Sequence, residues 1–109
     1  MILDDANVTA ALAPNFADFR PEPGLRDAAV LVPVVRRETR DHLVFNRRPD
    51  ALPWHPGQVC FPGGARHGGE GVIDCALRET EEEMGVDPAS VKLLGRLPDR
   101  ISIAGFRVA

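Results

Sequence analysis

The chain has 109 residues, a formal net charge of −3, 44% hydrophobic residues and 27% charged residues. That is the size of one domain and the balance of an ordinary globular chain. It excludes a wholly disordered chain, and no apolar run approaches the ~18 residues of a membrane span. Lys and Arg total 13 against 16 Asp and Glu, which argues against the bulk positive potential of a nucleic-acid-binding surface. Neither nucleic acid nor a membrane is expected as a partner. The charges are unevenly placed, with arginines gathered between Arg36 and Arg48 and acids between Glu79 and Glu83. This separation points to an anionic substrate on one side and a metal on the other.

The N-terminus carries Asp4 and Asp5 where a secretory leader needs bases, so a cytoplasmic location is expected. Cys60 and Cys75 make neither a CxxC pair nor a disulfide framework, and are expected reduced and at least half-buried. Residues 1–14 read as a short helix capped by Asp4 or Asp5 and stopped at Pro14. Pro14, Pro21, Pro23 and Gly24 mark a connecting segment. Residues 1–27 are therefore set apart from a main domain over 28–109.

Ala28 to Arg36 is rich in β-branched and apolar residues and reads as a buried strand, with Pro33 calling for an edge position or a bulge. A polar turn at Glu38–Asp41 and a second strand at Leu43–Arg47 complete a hairpin. Residues 48–58 hold three prolines and Gly57 and read as a loop. Val59–Phe61 is a short strand, ended by Pro62-Gly63-Gly64. Val72 to Met84 has no breaker before Gly85 and reads as the best helix of the chain, with Gly85 suited to its left-handed end. Val91–Leu97 reads as a strand by alternation, and Ile101–Ala109 as the start of another.

At about 100° per residue, Glu79 and Glu83 lie on one face of that helix, with Glu82 about 60° to the side. Carboxylates one turn apart repel each other, and the C-terminal end of a helix disfavours anions. A run of glutamates is ordinarily a solvated surface. Two features argue otherwise: Gly63-Gly64 lets the backbone approach a ligand closely, and Glu70 and Arg78 are spaced to pair and hold the intervening loop against the helix. Hard oxygen ligands of this kind select Mg²⁺ or Mn²⁺.

The segment Gly64 to Val86 resembles the Nudix box, G-x5-E-x7-R-E-U-x-E-E-x-G-U, with U a bulky aliphatic residue. Gly64, Glu70, Arg78, Glu79, Glu82, Glu83, Gly85 and Val86 fall in place, and Thr80 stands where an aliphatic is usual. The preceding segment, Leu43-Val44-Phe45-Asn46-Arg47-Arg48 and then Leu52-Pro53-Trp54-His55-Pro56-Gly57-Gln58-Val59-Cys60-Phe61-Pro62-Gly63-Gly64, is similar to the motif of the coenzyme A pyrophosphatase branch, roughly LLTxRS followed by LRxHxGQVSFPGG. Arg48 replaces the serine and Pro53 an arginine. Leu94 to Pro98 and Gly105-Phe106 also resemble that branch.

The resemblance implies an α/β/α sandwich around a mixed β-sheet, with a loop-helix-loop box. It implies Glu79, Glu82 and Glu83 as catalytic residues and ligands of Mg²⁺ or Mn²⁺, with the Gly64 carbonyl as a further ligand. Arg47 and Arg48 read as guanidiniums for substrate phosphates or as exposed strand-end charges, and His55 as a hydrogen-bond partner of substrate or of its own loop; Gly63 is assigned to substrate binding, and Glu70 with Arg78 to a structural salt bridge. Trp54 reads as a core residue or a base-stacking one. The activity implied is hydrolysis of the pyrophosphate bond of coenzyme A or acyl-coenzyme A, giving phosphopantetheine and adenosine 3′,5′-bisphosphate. Other substrates of the family, such as ADP-ribose, NADH or a nucleoside triphosphate, stand as alternatives. Members of the family usually run past the position of Ala109, so the sandwich is expected to be incomplete at its C-terminal side. A homodimer could supply the missing layer, and a module that binds metal or nucleotide without turnover is the non-enzymatic alternative.

Overall fold

The computed structural model describes residues 17–47 and 57–109. Arg48, Trp54, His55 and the helix expected over 1–14 lie outside them. The elements are β1 (Arg26–Val30), β2 (Val34–Arg37), β3 (Arg40–Leu43), β4 (Asn46–Arg47), β5 (Val59–Cys60), β6 (Gly63–Ala65), helix α1 (Val72–Met84), a 3-10 turn (Pro88–Ser90), β7 (Arg100–Ile101) and β8 (Phe106–Val108).

The strand expected over residues 28–36 is divided. β1 runs into Val30, and β2 begins after Pro33, which has no N–H to give a ladder; its carbonyl instead accepts from the Val44 N–H at 3.1 Å. β2 and β3 form the expected hairpin, though the second strand lies at Arg40–Leu43, with Val34 opposite Leu43 and Arg37 opposite Arg40. Glu38 makes the turn at φ 60°, a left-handed conformation unfavourable to a side chain. Phe61 lies outside β5, and Gly63 and Gly64, expected to end a strand, belong to one themselves.

The main sheet has the order β6-β1-β8-β7. β6 pairs antiparallel with β1, with Ala29 opposite Gly64; β8 pairs parallel with β1, with Arg26 opposite Phe106; β7 returns antiparallel on β8. The sheet is therefore mixed, and the chain an α/β fold. The single strand anticipated from Ile101 is instead two, β7 and β8, joined by a turn in which the Gly105 N–H donates to the Ser102 carbonyl, and β8 lies between two neighbours.

Among the described residues α1 is the only α-helix, and it packs against β1 and β6 on one face of the sheet. The core between them is small: Ala29 and Cys75 are fully buried, with Ala76 and Thr80 nearly so. Phe19, Leu31 and Val72 close around it. Thr80 resolves its own hydroxyl by donating to the Ala76 carbonyl one turn back at 2.7 Å, so a polar atom enters the core satisfied. Gly85 ends the helix at φ 71°, the left-handed termination expected of it.

The helix start is held from a distance. Gly71 offers no side-chain cap, and the Asp18 carboxylate accepts from the Val72 N–H at 2.9 Å across 54 residues. That bond holds the Asp18 carboxyl below the usual carboxylate range. The expected strand at Val91–Leu97 does not form, and only Arg96 makes an isolated bridge there. Side-chain ion pairs take the ladder's place: Arg96 holds Asp99 at 2.8 Å, and Asp99 holds Arg107 of β8 at 2.8 Å.

Candidate functional site

The site grows from the contact between β6 and the last turns of α1. Gly63 pairs opposite Val30 in the β1–β6 ladder, and a Cβ there would overlap the Ala29 carbonyl oxygen and the Val30 backbone. Gly64 serves another neighbour. A Cβ on it would lie 2.5 Å from the Glu79 carboxyl carbon and one of its oxygens, so the missing side chain is the space the Glu79 carboxylate fills. The Gly64 carbonyl accepts from the Cys75 thiol at 3.6 Å. Burial, followed by the nearby Glu70, pushes that thiol up to about 11, so it stays protonated and inert. Cys60, expected at least half-buried, is exposed instead; among the described residues its two-residue strand pairs only with the short β4.

Arg78 is the hub. Its Nη2 and Nε donate to the two Glu70 carboxylate oxygens at 2.6 and 3.0 Å, the fork-to-fork arrangement that suits guanidinium and carboxylate. Nη2 also donates to the Ala65 carbonyl at 3.0 Å, and Nη1 to Glu79 at 3.0 Å and Glu82 at 3.3 Å. Glu70 in turn accepts from the His67 N–H at 2.9 Å. The loop between β6 and α1 is thus closed onto the helix. The Arg78 guanidinium holds the Glu70 carboxyl down at about 2, and Glu70 raises the Arg78 value further in return.

Glu83 turns away from this hub. Its Oε2 accepts from the Asn46 amide at 2.6 Å and from the Gly63 N–H at 3.2 Å. Burial raises its pKa, helped by the charges of Glu79 and Glu82 and opposed by those two hydrogen bonds. The last turn of α1 contains no base to offset the acids.

The sequence reading placed Glu79, Glu82, Glu83, Gly63, Gly64, Glu70 and Arg78 at the site, and the fold brings all seven to the β6–α1 contact. It does not gather three carboxylate, His or Cys side chains into one group able to hold a metal, among the described residues. Each acid has a partner within the protein, Glu79 and Glu82 at Arg78 and Glu83 at Asn46 and Gly63. The donor chemistry fits a hard divalent cation, and Glu82, more than half exposed at 55%, has room to turn. Arg47 lies on β4 beside Asn46, opposite Val59. Asn46 and Asp18 were not singled out from the sequence. Asn46 is the residue before the arginine of the motif, and that adjacency was the available signal; Asp18 acts over 54 residues and leaves no local spacing to read.

A β-strand pair carrying two glycines, closed onto a helix whose Arg and Glu side chains meet it in this pattern, defines a Nudix module. The NUDIX domain model matches residues 25–108, and the chain belongs to the Nudix family. It is 43% identical over 100 residues to a Klebsiella aerogenes protein named an uncharacterized Nudix hydrolase, NudL, spanning 86% of this chain and 82% of that one. Proteins of the same name from Citrobacter koseri and Pectobacterium atrosepticum are 48% identical over 84 residues and 44% identical over 91 residues. The matches cover 43% and 47% of those two proteins, so the chain spans about half the length of such relatives. No helix among the described residues is long and apolar enough to cross a membrane.

Proposed function

We propose that this module carries out divalent-metal-dependent hydrolysis of the pyrophosphate bond in coenzyme A or an acyl-coenzyme A. The observation that carries the reading is the contact of Gly64 with the Glu79 carboxylate at the head of the box, beside Glu83 held between Asn46 and the Gly63 N–H. The relatives' printed name, Nudix hydrolase, supports the reaction class. The branch motif read between Leu43 and Gly64 supports coenzyme A over other nucleoside diphosphate derivatives.

Glu79, Glu82, Glu83 and the Gly64 carbonyl are the residues that would hold Mg²⁺ or Mn²⁺. When bound, such a cation supplies charge neutralisation at the phosphates and lowers the pKa of water. The protein's own residues do the positioning. Glu70 and Arg78 fix the loop so that Gly64 and Glu79 stay in register. The Asn46 amide and Gly63 N–H orient Glu83. Arg47 supplies a guanidinium for a phosphate oxygen pair.

The test is chromatography of products from coenzyme A with Mg²⁺ or Mn²⁺, run beside Glu83→Gln. Metal-dependent adenosine 3′,5′-bisphosphate that disappears in the variant is the expected result. A folded wild-type chain that gives no such product, yet hydrolyses ADP-ribose or a nucleoside triphosphate, would overturn the coenzyme A assignment. A folded chain that turns over none of them would overturn the enzymatic reading.

A further inference from the structure

Both segments that hand a donor to Glu83 also carry a phenylalanine. Phe45 precedes Asn46, and Phe61 precedes Gly63 by two residues. The two rings stack on each other, with centroids 4.4 Å apart and planes 20° apart. The β4–β5 ladder pairs Asn46 with Cys60 and Arg47 with Val59, and one further step along it sets Phe45 against Phe61. This pair is not core packing: Phe45 is 48% exposed and Phe61 only half-buried, beside an exposed Val59. A stacked aromatic pair with one face in water is a surface that flat, weakly hydrated ligands seek.

Side chains alternate along a strand, so Phe45, Phe61, Val59 and Arg47 share one face of the ribbon while Asn46 reaches Glu83 from the other. The ribbon is one strand pair, about 5 Å between strands, and neighbouring Cα atoms are about 3.8 Å apart. A ligand that stacks on the rings and places its phosphates at Glu83 therefore needs a reach of about 10 Å around the ribbon's edge, passing the side chain of Arg47. A planar base joined through a sugar to two phosphates has that length and that charge.

We infer that Phe45, stacked on Phe61 and flanked by Arg47, is the platform for the nucleobase of the substrate, and so selects for nucleotide-containing pyrophosphates over pyrophosphates without a base. The inference rests on the pyrophosphatase reading and adds the base-binding subsite to it. Stacking of a base on an aromatic side chain is sequence-tolerant, so the platform recognises a base as a flat ring and leaves its edge to other groups.

The experiment is calorimetric titration of the 109-residue protein, Phe45→Leu and Phe45→Trp with ADP and, separately, with inorganic pyrophosphate, both in Mg²⁺. Proton NMR of the adenine H2 and H8 signals reports ring stacking directly. Wild type should bind ADP more tightly than pyrophosphate and shift both adenine signals upfield. Phe45→Leu should weaken ADP by about five-fold or more, abolish the shifts and leave pyrophosphate unchanged, while Phe45→Trp should restore ADP binding. Equal weakening of ADP and pyrophosphate in Phe45→Leu would make the ring a structural prop and overturn the platform. So would wild-type protein that binds pyrophosphate but binds ADP no better. Wild type that binds neither overturns the pyrophosphatase reading along with it.

Discussion

Gly63 and Gly64 are adjacent and chemically identical, yet replacing each by alanine should have opposite consequences. At Gly64 the added methyl would meet the Glu79 carboxyl group at 2.5 Å. Ordinary contact between non-bonded heavy atoms is about 3.5 Å, so the carboxylate must move by about 1 Å. It sits at the end of a flexible side chain and can do so without disturbing the backbone. The loss of its 3.0 Å contact with Arg78 is partly offset, because alanine in a strand is favoured over glycine by about 0.5–1 kcal/mol. Stability to urea should change by no more than about 1 kcal/mol, whereas a displacement of about 1 Å at a reacting group lowers turnover by about 10²-fold. At Gly63 the methyl meets backbone, the Ala29 carbonyl and Val30, which cannot swing aside. Gly63→Ala should separate β6 from β1 at a cost of about 1–3 kcal/mol. Urea unfolding followed by circular dichroism, with product chromatography in parallel, measures both. A Gly64→Ala protein with full metal-dependent turnover, or one as unstable as Gly63→Ala, would refute the assignment of the Gly64 space to Glu79.

Three further outcomes follow from the same contacts. Glu70 has its folded pKa lowered from 4.5 to about 2 by Arg78, so it contributes stability that is complete above pH 4.5 and lost as the pH falls towards 2. Glu70→Gln should accordingly be less stable than wild type at pH 7, with the difference closing by about pH 2; urea midpoints that differ equally at both ends would contradict this. Glu83 has its folded pKa raised by burial, the opposite sign, so its charge works against folding at neutral pH and protonation on acidification relieves it. In chelator-treated protein at pH 7, Glu83→Gln should melt higher than wild type even though it loses turnover, and a lower melting temperature would count against the burial argument. Glu38 holds the hairpin turn at φ 60°, so Glu38→Gly should stabilise the chain by about 0.5–1 kcal/mol, read as a higher urea midpoint with an unchanged slope.

Local signals served where the determining contacts were local. Helix α1 and its glycine terminus were legible from an unbroken run followed by Gly85 and Pro88. The Glu70–Arg78 pairing was legible because both ends of its loop lie within one motif. Pro33 marked a disturbance, but whether it bulges one strand or parts two depends on what β1 pairs with, and its partners β6 and β8 lie far along the chain. The alternation at Val91–Leu97 resembled a strand because extended chain and paired chain have the same side-chain period. Only the Arg96–Asp99–Arg107 series, which cannot be read from spacing, tells them apart. At the β6–α1 contact, the glutamates stood out by pattern and Asn46 did not; nor did Asp18 at the start of α1, since each acts on a residue that the sequence does not place near it.

The position of β8 has a consequence for how the molecule comes together. β8 sits between β1 and β7, and its parallel partner β1 begins at Arg26, opposite Phe106. Closing a loop of that length has an entropic cost of about 4 kcal/mol, recovered only when the ladder and the charges of Arg107 lock in. During synthesis the hairpin, the box loop and α1 can all form early, but the sheet stays divided, with the edge of β1 unpaired, until residues 106–108 emerge. Such an edge can capture other strands. Completion of the sheet therefore waits on β8, and the interval before it pairs is when the edge of β1 is most open to other strands.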